Sequence, residues 1–260
     1  MQDRPAWLAQ NEATMPAGLD WLSPREHARV ERLRFPKRRT EHLLRRWAGK
    51  TAVARSIGWT IDRATVSRIE LLNHPGGAPY VELDGRRADL EVSLSDRAGT
   101  AVALVGPAGS DSGALGIDLE IVESRSEGFV VDFLTEAERT WVHARRVRDG
   151  EDGWQEAANL AWSAKEAALK VLRVGLRADT RTVEVTVDES RRADGWAAMV
   201  LTSAAVGVLP GWWRRDGVFL LTVAYPPGSA RPDPPAVVPG GVDLAAAVPI
   251  HSWMGRAPLA

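Results

Sequence analysis

The chain has no cysteine, which excludes disulfides and thiolate-bound metals and leaves packing as the source of its stability. It has no apolar run long enough to span a bilayer, and its opening Met1-Gln2-Asp3-Arg4-Pro5 lacks the regions of a secretory leader. The expectation is a cytoplasmic protein with no membrane partner. An excess of one charge sign is also missing, the formal total being −1 over 260 residues. That balance conceals a strongly basic stretch from Arg25 to Arg55, offset by acidic residues elsewhere. No aromatic residues are spaced along this stretch as a stacking platform, and no nucleic-acid motif is present, so the basic face is assigned to a phosphorylated cofactor and not to nucleic acid. The 45% hydrophobic content is enough for one sizeable core or two small ones.

Hydrophobic periodicity divides the chain into two comparable blocks. An arginine-rich helix over residues 24–57 precedes predicted strands at 66–72, 80–83, 90–95 and 101–105. A strand at 115–121 then precedes helices at 130–146 and 156–174, followed by strands at 182–187, 197–202 and 218–224. Helix then sheet, twice over, indicates an α+β pseudo-dimer of two similar halves. The expected boundaries are 1–108, 109–225 and a flexible tail, 226–260, rich in proline, glycine and alanine and without catalytic residues.

Two short runs carry the chemistry. In Gly116-Ile117-Asp118-Leu119-Glu120 the carboxylates are two residues apart and leave the same face of a strand. In Trp162-Ser163-Ala164-Lys165-Glu166-Ala167-Ala168-Leu169-Lys170, Glu166 and Lys170 share one helix face. Taken singly, the first fits a half-buried strand with a wet outer face and the second a surface helix with a solvent ion pair. Taken together, hard oxygen ligands with a cation alongside suit Mg²⁺ against a polyphosphate.

The order and spacing of the two runs resemble the signature of the Sfp-type 4′-phosphopantetheinyl transferases. Phe129 to Glu138 is similar to the family's segment leading into the helix after the metal strand, and Arg29 with Phe35 to Arg46 to its basic first helix. The resemblance implies two similar halves with the active site in the cleft between them. It also implies transfer of 4′-phosphopantetheine from coenzyme A to a serine of an acyl or peptidyl carrier protein of fatty-acid, polyketide or nonribosomal-peptide synthesis. Asp118, Glu120 and Glu166 match the Mg²⁺ ligands, and Glu166 also matches the group that takes the serine proton. Lys170 matches the lysine beside the phosphates, with Lys165 in support. Arg29 matches a phosphate-holding position, and Arg39, Arg46 and Lys50 follow from the same helical region. Trp162 is expected in an interdomain core, Arg125 and Phe129 are carrier-docking candidates, and internal duplication implies a monomer.

Two departures stand out. Ser93-Leu94-Ser95-Asp96-Arg97 occupies the family's Ser-His stretch, so Asp96 stands where a histidine meets the 3′-phosphate, unless Arg97 substitutes for it. Ser95, Asp96 and Arg97 are therefore cofactor-side candidates. Ala78 stands where many members have a lysine. Three readings stay open: a transferase with rearranged cofactor recognition, a transferase-derived enzyme acting on another biosynthetic intermediate, and a non-catalytic carrier-binding module.

Overall fold

Prolines at the first helical position open two helices near the N-terminus, α1 (Pro24–Glu31) and α2 (Pro36–Ser56), where a missing backbone N–H costs nothing. The computed structural model describes residues 4–108, 114–229 and 232–250. These form two compact units, Met1–Asp111 with Pro235–Ala260, and Ser112–Pro234.

The first unit contains α1, α2 and α3 (Arg63–Ser67), with β1 (Ala6–Asn11), β2 (Ile69–Asn73), β3 (Pro79–Leu83), β4 (Arg86–Arg87), β5 (Leu90–Arg97) and β6 (Thr100–Pro107). β1, β6 and β5 pair antiparallel in that order, and β2, β3 and β4 form a second small sheet. Along α2, Leu44, Ala48 and Ala52 pack with Leu8, Leu71, Val92 and Ala103 as one apolar core. Gly49 lets the helix approach, because a Cβ there would run into the Leu71 side chain.

The second unit contains β7 (Gly116–Ile121), α4 (Glu127–Phe133), α5 (Glu136–Val171), β8 (Val183–Val187), β9 (Ala197–Ser203), β10 (Gly207–Asp216) and β11 (Phe219–Ala224). Its sheet is antiparallel in the order β7-β11-β10-β9-β8. Leu160, Ala164, Ala167 and Ala168 of α5 pack against Val183, Met199, Leu201, Trp213 and Leu220. Gly150, at φ 73°, breaks α5 into two helical pieces, as the two separate helical patterns in the sequence predict.

Several features differ from the sequence reading. The single helix expected over 24–57 is two, because Pro36 starts α2 afresh after α1 ends at Glu31. The helix expected over 130–146 is broken after Phe133, because Thr135 caps a new helix, α5. β1 is a strand that the sequence reading does not contain. The strand predicted from residue 66 begins at Ile69, because Asp62 caps the short helix α3 by accepting from the Thr65 N–H. β10 was not predicted, since Gly207, Pro210 and Gly211 interrupt its alternation. Gly211 is nonetheless required there, because a Cβ would strike the Val223 carbonyl and the Met199 side chain. The tail is the largest difference. Residues 236–237 form β12 (Ala236–Val237), parallel to β1, and Val238 is buried in the core of the first unit. Val238 and Val242 donate backbone hydrogen bonds to Trp7 and Ala9, and Gln10 donates to the Gly240 carbonyl at 3.1 Å. Composition missed this because an isolated strand edge accepts even a short, proline-flanked partner. Deleting residues 235–260 is expected to lower the melting temperature by about 10 °C, since it exposes the pockets of Val238 and Leu244 and strands Gln10. A thermal melt that does not shift would mean that the segment is only draped on the unit.

Among the described residues, no helix is long and apolar enough to cross a membrane.

Candidate active site

The site begins with a glycine. The backbone of Gly116 is not left-handed, but a Cβ on it would overlap the carbonyl oxygen of Ala167 on α5. β7 and α5 therefore touch backbone to backbone, and the side chains that follow on the same strand face, Asp118 and Glu120, meet the helix at once.

Asp118 is 1% exposed and opposes Thr222 of β11. Its Oδ1 accepts from Lys170 Nζ at 2.7 Å, and its Oδ2 from Ser163 Oγ at 2.8 Å. Lys170 Nζ also donates to the Ile117 carbonyl at 2.8 Å. Glu120 is 8% exposed and accepts from Trp162 Nε1 at 3.1 Å and from Arg125 Nη2 at 3.4 Å. The expected wet face of the strand is thus buried under α5. Trp162 also packs edge-on against Phe129 and Phe133, with centroids 5.4 and 5.1 Å away, so it has a defined place within this unit. Arg125 is committed locally as well, to Asn159 at 2.6 Å and over the Phe129 ring at 4.6 Å.

Glu166 lies one helical turn from Lys170, with its carboxyl hydrogen-bonded to that of Asp118. Burial pushes it up to about 8, reinforced by the neighbouring charges of Asp118 and Glu120 and opposed by Lys170. Three carboxyls thus face two cations, and one proton is retained to balance them. The set consists of hard oxygen donors that carry one uncompensated negative charge when that proton leaves, which fits a divalent cation such as Mg²⁺ chemically. As the side chains stand, no three acidic or histidine groups among the described residues are gathered into a metal cage, because Asp118 and Glu120 spend their oxygens on protein donors.

These residues fall within the part of the chain that can be matched to known proteins. Residues 114–195 carry the pattern of the 4′-phosphopantetheinyl transferase superfamily. The holo-[acyl-carrier-protein] synthase of Streptococcus pyogenes serotype M28 (strain MGAS6180) is 42% identical over 62 residues, 24% of this chain and 52% of the relative. The synthase of the same name from serotype M5 (strain Manfredo) is 40% identical over the same shares. The chain spans about half the length of these relatives. The superfamily segment runs from the start of β7 through α4 and α5 to β8, and so contains Asp118, Glu120, Ser163, Glu166 and Lys170 but nothing of the first unit.

The other candidates lie elsewhere. Lys165 does not join the carboxylates: its ammonium is buried with Glu138 at 2.8 Å. In the first unit, Arg29 is exposed and lines a cavity of about 490 Å³ with Arg25, Arg32, Asn73 and Tyr80. Arg46 is buried and donates to Asn73 Oδ1 at 2.5 Å, and burial lowers it to about 10. Lys50 is spent on Glu26 at 2.5 Å, in a fully buried pair. Arg39 is exposed on α2. Ser95, Asp96 and Arg97 end β5, and Asp96 is paired by Arg45, a partner that sequence order did not suggest. Asp96 and Arg97 line a pocket of about 50 Å³ with Lys37, Glu41 and Ile250. Ser163 was missed altogether, although its place in the run four residues before Ala167 puts it on the face that meets β7.

Proposed function

We propose that this chain transfers 4′-phosphopantetheine from coenzyme A to a serine hydroxyl of an acyl or peptidyl carrier protein and releases 3′,5′-ADP. The observation that carries this reading is that the superfamily segment is the one that folds three carboxyls and Lys170 into a single buried cluster. Asp118, Glu120 and Glu166 would hold Mg²⁺, which when bound neutralises and orients the pyrophosphate. Glu166 reaches the edge of the cluster, and once a cation replaces the proton it retains there, its carboxylate is free to take a hydroxyl proton. Lys170, 27% exposed, keeps one side toward solvent and can meet a phosphate oxygen as charge develops on the departing nucleotide. Ser163 fixes the second oxygen of Asp118 and hence its rotamer. Taken within the first unit alone, the cavity lined by Arg25, Arg29 and Arg32, with Tyr80 and Leu72 as apolar wall, suits an anionic and aromatic ligand, with Arg29 as the matched position.

Polyketide, nonribosomal-peptide and fatty-acid carriers remain the candidate acceptors, and a monomer is the proposed state. The Asp96–Arg45 pair favours rearranged cofactor recognition over loss of it, because the aspartate is already neutralised by a protein cation. The test is intact-mass analysis of apo carrier proteins incubated with the protein, coenzyme A and Mg²⁺. Addition of one phosphopantetheine group is the expected result. No addition to acyl or peptidyl carriers, with folded protein, would overturn the assignment.

A further inference from the structure

Lys165 has no donor to spare for a phosphate. An ammonium offers three N–H groups. Those of Lys165 go to Glu138 Oε2 at 2.8 Å, to the Thr180 carbonyl at 3.1 Å and to the Val183 carbonyl. Glu138 is equally committed. Its Oε2 accepts from the N-cap N–H of Thr135 at 2.8 Å, closing a capping box at the start of α5, and its Oε1 accepts from Val185 N–H at 2.7 Å. One buried pair therefore ties the beginning of α5, its catalytic turn and the start of β8 together.

The same device recurs in the first unit. Ser23 caps α1, and Glu26 returns the capping bond to the Ser23 N–H at 3.0 Å. Glu26 Oε1 accepts from Leu71 N–H at 3.1 Å, and Lys50 meets Glu26 Oε2 at 2.5 Å while donating to the Trp21 carbonyl at 2.9 Å. The sequence around the two lysines repeats too, Trp47-x-x-Lys50 beside Trp162-x-x-Lys165. The catalytic groups do not repeat. Thr51 and Arg55 stand where the second unit has Glu166 and Lys170, and the third and fifth residues of β1 are Leu8 and Gln10 where β7 has Asp118 and Glu120. The latch thus persists where no carboxylate cluster exists, which separates it from phosphate chemistry.

We propose that Lys165 is a positioning residue. Locked to Glu138 and the carbonyls of residues 180 and 183, it fixes the rotation of α5 about its axis, and this rotation turns the neighbouring Glu166, with Ser163 and Lys170, toward β7. The sequence reading that placed Lys165 beside the phosphates is replaced by this one. The kinetic part of the inference rests on the transferase reading, whereas the structural part does not.

The test uses the full chain with Glu138→Gln/Lys165→Met, which removes both charges and leaves neither buried alone. Coenzyme A affinity by calorimetry is expected within about twofold of the parent, with kcat lowered by about tenfold or more because the reacting groups are misplaced. Amide exchange of the Gly116–Ile121 peptide should quicken relative to β9 and β10. If the double variant does not fold, Glu138→Leu/Lys165→Leu, which likewise leaves no charge buried alone, carries the same comparison. A folded variant with about tenfold weaker coenzyme A binding and unchanged kcat would return Lys165 to the phosphates. Unchanged kcat and exchange would sink the positioning role. A parent protein that neither binds coenzyme A nor transfers would refute the functional reading, and the exchange comparison would still decide the latch.

Discussion

Glu166→Gln is expected to cut phosphopantetheine transfer by about 10²–10⁴-fold, the usual range for removing a general base. The same substitution should make the metal-free protein more stable in alkaline solution. In the folded protein Glu166 titrates near 8, while the ordinary value is 4.5. Between these values the folded chain holds a proton that the unfolded chain has released. The stability this contributes is complete below pH 4.5 and is lost as pH rises through 8. On the order of 2–4 kcal/mol is at stake, less than the full shift because Glu166 is partly open to water. Glutamine carries no charge at any pH, so above the unfolded-state titration of His42, which burial keeps neutral in the fold, its urea midpoint should stay level from pH 7 to 9 while that of the parent falls. Adding Mg²⁺ at pH 9 should restore the parent and leave the variant nearly unmoved, because the cation replaces the proton as the counter-charge. A parent midpoint that does not decline would mean that Glu166 is not held against Asp118.

The second large effect is expected from one methyl group. Gly116→Ala places a Cβ against the Ala167 carbonyl and the Val171 side chain. In a strand with ordinary backbone angles, glycine to alanine would normally be neutral or stabilising through the unfolded state. Here the obstacle is helix backbone, which cannot step aside as a side chain does. α5 has to lift from β7, at a cost of about 1–3 kcal/mol and a fall of about 3–10 °C in melting temperature. The lift acts directly on the 2.7 Å contact between Lys170 and Asp118, so transfer should fall by about 10²-fold. A melt and a transfer assay on the same preparation read both. An unaltered melt would show that strand and helix are farther apart than the structure places them.

Much of the fold was legible because its signals are local. Alternation marks β7, β9 and β11, and helical spacing marks α2 and both pieces of α5. What failed to read was set by neighbours. β10 contains a proline and two glycines and looks like a turn until β9 and β11 flank it. The tail has too few apolar residues to fold alone, yet β1 offers it an edge and a pocket for Val238. At the site, residue type and spacing in the two motifs were enough to single out Asp118, Glu120, Glu166 and Lys170, because carboxylates two apart on a strand and charges four apart on a helix can share a face without further information.

Spacing did not decide which of two adjacent polar residues on a helix faces the chemistry. Lys165 and Glu166 are neighbours in sequence, but they point to different sides of α5, one to Glu138 and β8, the other to Asp118 and β7. Nor did it show that Arg46 and Lys50 of the basic stretch are buried structural groups while Arg29 is open. The sequence by itself determined the kinds of groups, their order and the elements that carry them, since these follow from composition and short-range geometry. Which charges are buried against each other depends on residues tens of positions away, so only the packed chain separates the carboxylate cluster around Asp118 from the buried Lys50–Glu26 and Lys165–Glu138 pairs.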